Sequence, residues 1–64
     1  MESSLLKAIP KGEYFKLNDT ESSPVWVRDY YDRGSRSVRV YKFDDINHEK
    51  FIRGNRVVFV GFTF

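Results

Sequence analysis

The chain has 64 residues, eleven basic and nine acidic side chains for a net charge of +2, six Phe, four Tyr, one Trp and no cysteine. That length holds one domain, residues 1–64, and the missing cysteines exclude disulfides and thiolate zinc sites. A core this small contributes only about 3–5 kcal/mol of net stability, so aromatic mass has to carry it, and a charge so evenly mixed exerts little net pull on an anionic partner.

In chain order, Leu5-Leu6-Lys7-Ala8-Ile9 is too short for a signal-peptide core and is followed at once by Pro10 and Lys11, which sets the expectation of a cytoplasmic protein. Ser3-Ser4 predict the cap of one helical turn through Ala8, which Pro10 stops. Pro10-Lys11-Gly12 is a turn signal. Residues 13–17 then read as a strand with Phe15 and Leu17 on one face, as core positions. Residues 18–24 are polar and turn-rich.

Residues 25–44 form the dominant signal, two strand-like runs, VWVRDYYD and SVRVYKFD, flanking the tip Arg33-Gly34-Ser35-Arg36. They predict one long, twisted hairpin. A four-residue loop sets Trp26 opposite Phe43, Arg28 opposite Tyr41 and Tyr30 opposite Arg39. A three-residue loop sets Val25 opposite Phe43, Val27 opposite Tyr41 and Asp29 opposite Arg39. A two-residue loop would oppose Arg28 and Arg39, which like-charge repulsion disfavours. The register decides which aromatics are buried, and Trp26 above all.

Asp44-Asp45 ahead of Ile46, and Gly54-Asn55 after Arg53, predict a helix of about two turns between an Asp45 cap and Gly54. Residues 56–64 predict the last strand, with Val58, Val60, Phe62 and Phe64 on one face, Val57 and Phe59 on the other, and a bend at Gly61. Its eight-residue apolar run is far below the roughly 20 residues of a spanning helix, so no membrane contact is expected. The expected fold is mainly β: a small SH3-like barrel or compact curved antiparallel sheet, with the long central hairpin and one short helix before the last strand. Ile9-Pro10-Lys11-Gly12-Glu13-Tyr14-Phe15 resembles the opening strand of such barrels. Together with Pro24-Val25-Trp26-Val27-Arg28 and Val57-Val58-Phe59-Val60-Gly61-Phe62-Thr63-Phe64, the chain resembles small uncharacterised proteins of bacterial mobile elements, the phages and conjugative transposons. That resemblance carries no functional residue across.

Catalysis is not expected. There is one His, no Cys, and no core large enough to spare a pocket for a small-molecule substrate. Within Asp44-Asp45-Ile46-Asn47-His48-Glu49, helical spacing would bring Asp44 beside His48, but acids at a helix start complement its dipole without a metal. No metal or other cofactor is therefore expected. Binding remains. Arg28, Arg33, Arg36, Arg39 and Lys42 are candidates to meet the phosphates of DNA or RNA, with Trp26, Tyr30 and Tyr41 as stacking platforms, and Tyr31 as a further one. The alternative is a protein partner or a second copy of the chain, paired along the apolar C-terminal strand if that strand lies at an edge.

Overall fold

The computed structural model describes residues 1–63, so Phe64, assigned above to the last strand, lies outside the described residues. Among the described residues there are six strands and one 3-10 turn: β1 Glu2–Leu5, the turn Leu6–Ala8, β2 Tyr14–Phe15, β3 Trp26–Asp32, β4 Ser37–Lys42, β5 Asp45–Arg53 and β6 Val57–Val60. They build two antiparallel sheets, β1-β6 and β2-β3-β4-β5. The sheets are joined where Lys16 continues β2 alongside β6 and exchanges backbone hydrogen bonds with Phe59 at 2.8 and 2.9 Å. Among the described residues the strands do not close into a barrel, and no helix is long and apolar enough to cross a membrane.

Phe15, Leu6, Val38, Val40 and Val58 are fully buried and form one cluster with Ile9 and Trp26, against which Leu17, Ile52 and Val60 pack. The first turn works as the sequence suggests. The amide of Glu13 donates to the Pro10 carbonyl at 3.1 Å, and Gly12 takes φ +91°, as the third position of a type II turn requires. A Cβ on Gly12 would touch nothing within 4 Å, so Gly12→Ala isolates the backbone effect. Equilibrium urea unfolding should show a loss of about 1–2 kcal/mol from that change alone.

The central hairpin holds two of the predicted registers at once. Near its base Val27 lies opposite Tyr41 and Arg28 opposite Val40, the pairing of a three-residue loop. A bulge between Arg28 and Tyr31 shifts the rest by one residue, so Asp32 lies opposite Ser37 across a four-residue tip. The bulge lets Trp26 and Tyr31, five residues apart, share a face that strict alternation would deny them. Trp26 therefore packs inward, 4% exposed, with Val40 and Val38.

The predicted helix over residues 46–53 is instead strand β5, the longest in the molecule. Ile46, Phe51 and Ile52 are five and six positions apart and cannot share one helical face, whereas Ile52 set opposite Val38 extends the buried side of the sheet. The end signals are turn signals. Asp45 accepts the Asn47 amide at 3.1 Å in a local turn, and Arg53 to Arg56 closes a β-turn with the Arg56 amide on the Arg53 carbonyl at 3.1 Å. Gly54 does not take the left-handed conformation of a helix cap.

Strand β6 is not an edge. It pairs with β1 on one side and meets Lys16 through Phe59 on the other, and it ends at Val60, before Gly61, which takes φ +79° at the position of the expected bend. The open edge of the larger sheet is β5, paired only with β4, with Ile46 and Phe51 exposed along it.

Candidate nucleic-acid interface

Antiparallel connectivity gathers three chain segments at one end of the molecule: the 3-10 turn, the β3–β4 tip and the β5–β6 turn. Gly54 ties them together. Its amide donates to the Arg36 carbonyl at 3.1 Å and its carbonyl accepts the Lys7 amide at 2.8 Å, while the Leu6 amide donates to the Arg56 carbonyl at 2.9 Å. Lys7, Arg33, Arg36, Arg53 and Arg56 therefore share this end, and among the described residues none of the five forms an ion pair. The one acid on these segments, Asp32, shapes its own turn by accepting from the Gly34 amide and the Ser35 hydroxyl, each at 3.0 Å.

A hollow of about 180 Å³ opens between the turns, lined by Lys7, Tyr31, Arg36, Arg53, Gly54 and Asn55. Its floor is tight. A Cβ on Gly54 would lie 3.0 Å from Tyr31 Cε1 and 3.1 Å from Lys7 Cβ, so only glycine lets the three segments approach this closely. Arg36 adopts φ +57°, a left-handed conformation that bulky side chains disfavour. A larger hollow of about 450 Å³ at the far ends of β1 and β6 has Glu2 and Glu13 in its wall and no cation, the wrong sign for phosphate.

The eight residues singled out from the sequence fall in three places. Arg33 and Arg36 lie at the basic end. Tyr30, Arg39 and Tyr41 lie on the outer face of the hairpin, where Arg39 is engaged by Asp29 and Glu49, its Nε donating to Glu49 at 2.6 Å. Hydrogen bonds donated to these two carboxylates, Asp29 first, hold the guanidinium above its ordinary pKa, so Arg39 keeps its charge. Its guanidinium also lies 5.4 Å from the Tyr41 ring, and Tyr30 meets Phe51 edge-on at 6.1 Å. This face is aromatic, but its arginine is neutralised.

Trp26, Arg28 and Lys42 occupy the inner face. Trp26 is covered by Lys50, whose Nζ lies 4.7 Å from the ring centre, and by the edge of His48 at 5.6 Å, so its ring is a core element and not a stacking platform. Arg28 turns back to donate from Nη1 to the Asp29 carbonyl at 2.6 Å, and its Nε is buried without a partner. Lys42 is half-buried opposite Trp26, at the end away from the tip. With β5 extended, the helical spacing that would bring Asp44 beside His48 does not exist.

Sequence reasoning missed Lys7, Arg53 and Arg56. A signal for two of them was present. Arg53-Gly54-Asn55-Arg56 repeats the cation, glycine, polar, cation pattern of Arg33-Gly34-Ser35-Arg36. Assigned to a helix end, it lost its likeness to a hairpin tip. No protein-family model, curated protein or solved structure matches this chain.

Proposed function

We propose that this chain is a non-enzymatic nucleic-acid-binding module, a small SH3-like barrel left open between β1 and β5, that meets the phosphate backbone with its hairpin-tip end. One observation carries the reading: five cations with no acidic partner among the described residues gather on three tied segments whose sole carboxylate is engaged by its own turn. Cations free of ion pairs are the ones that can release condensed counterions on binding, and a local cluster matters more to that term than a net charge of +2. The resemblance to mobile-element proteins points the same way. The test is an amide-shift titration with short single-stranded and duplex DNA and RNA. Shifts should centre on residues 6–8, 33–36 and 53–56. With three to four phosphates met, log affinity should fall with log salt at a slope of about −3. A flat salt response, or no binding at low ionic strength, overturns the reading.

A second reading rests on β5, a nine-residue open edge with Ile46 and Phe51 exposed, which suits strand addition by a protein partner or a second copy. It replaces pairing through β6, which is flanked on both sides. Concentration-dependent sedimentation, with spectra indifferent to nucleic acid, would favour it over the first.

A further inference from the structure

We infer that the hollow between the two Arg-Gly-x-Arg turns binds a single phosphomonoester, the terminal phosphate of a nucleic-acid strand. The inference rests on the nucleic-acid reading and specifies what its central cations do. Lys7, Arg36 and Arg53 line one concavity, whereas Arg33 and Arg56 belong to the same turns without lining it. A backbone diester carries one negative charge, and successive diesters are best met by cations spread along a track. A terminal phosphate instead concentrates about −1.5 to −2 charges at pH 7 on three strong acceptor oxygens, which suits three cations around one hollow. Two of the three are arginines, whose planar forks donate in pairs to phosphate oxygens.

Size agrees. At about 180 Å³ the hollow is smaller than the roughly 300–1,000 Å³ of sites that enclose a whole small molecule, so it takes the phosphate and leaves sugar and base outside. The charges are also set in place before binding. Gly54 holds the Arg36 and Lys7 backbones by its own amide and carbonyl, and Arg53 precedes it in the chain. Arg36 keeps a left-handed conformation that glycine or asparagine would take more readily, which is how functional positions hold a needed side chain on an unfavourable backbone.

The test compares short oligonucleotides carrying a terminal phosphate with the same strands ending in hydroxyl, at either end, by fluorescence anisotropy at fixed salt. The phosphorylated strand should bind about tenfold tighter, as charge-assisted pairing of one further dianion implies. That advantage should vanish in Arg53→Gln and shrink in Gly54→Ala, which changes no charge but displaces Tyr31 and Lys7. Unchanged amide spectra away from residues 6–8, 31, 36 and 53–56 confirm that each variant is folded. The advantage should also fall between pH 7.5 and 5.5, because the monoester gains a proton near pH 6. Equal affinity for both strand forms, with a steep salt dependence retained, overturns this inference and leaves the nucleic-acid reading standing. Inorganic phosphate shifting the Gly54 and Asn55 amides while no oligonucleotide binds overturns both.

Discussion

Trp26→Ala leaves most of the chain unfolded at room temperature. Trp26 is the largest side chain in the core and lies 4% exposed beside Val38, Val40 and Phe15. Truncating a buried aromatic to alanine costs about 3–5 kcal/mol, through lost burial and the cavity left behind. A core of this size supplies about the same amount in total, with no disulfide to fall back on. Collapsed amide dispersion and a lost urea transition are the expected observations. Trp26→Phe fills most of the volume, so it should fold, with a reduced midpoint and nucleic-acid affinity within about twofold of the parent, because the ring is not offered to a ligand. An alanine variant that folds normally but no longer binds would show that Trp26 is a stacking platform after all.

The hairpin shows where sequence pattern was sufficient and where it was not. The turn at Pro10, the strand around Phe15, the two runs of the hairpin and the bend at Gly61 were legible, because turn chemistry and period-two alternation act over a few residues. Register was legible as a choice, and the bulge at Asp29 and Tyr30 took both options. Nothing in the local pattern requires that. The bulge becomes favourable only when β4 and β5 are in place, since it puts Tyr31 on the same side as Trp26 while leaving Asp29 to meet Arg39. The strand β5 was illegible for a related reason. Six of its nine residues are polar or charged and the apolar Ile46 and Phe51 are exposed as well, so neither periodicity is strong, and its Asp and Gly-Asn ends serve a helix or a hairpin equally well.

The site was half legible. Hairpin arginines were recognised, but pattern alone could not separate those with partners from those without. Arg39 and Arg28 both occupy ordinary paired strand positions, and only the fold brings Asp29 and Glu49 around the first and turns the second back on the Asp29 carbonyl. Lys7 reaches the basic end from a segment twenty-six residues before the hairpin tip, tied there by backbone hydrogen bonds from Lys7 to Gly54 and from Leu6 to Arg56. Long-range placement of this kind has no local signature, whereas the paired Arg-Gly-x-Arg turns do.

Replacing Arg36 by glycine and Arg53 by glutamine should cost about 10²-fold in nucleic-acid affinity at about 50 mM salt and about tenfold at 200 mM. Each single-strand phosphate contact contributes roughly 0.7 to log affinity per tenfold dilution of salt, so two lost contacts remove about two log units at the lower concentration and about one at the higher. The salt slope should flatten by about 1.5. Stability should not fall with affinity. Glycine accepts the φ of +57° that Arg36 adopts, relieving about 1 kcal/mol of backbone strain against its greater freedom when unfolded, and Arg53 forms no ion pair among the described residues to lose. Lys11→Gln provides the comparison: it removes one charge beside Asp29 on the outer side of the hairpin, and affinity should change less than twofold. Lys42→Gln separates the two layouts directly. If binding ran along the hairpin, as the sequence pattern suggests, Lys42 would matter as much as Arg36. If it runs across the tied turns, Lys42 lies at the wrong end and its loss is silent. A double variant that weakens binding no more than Lys42→Gln would remove the basic end as the interface, because no other group of cations in the described residues is free of partners and gathered in one place.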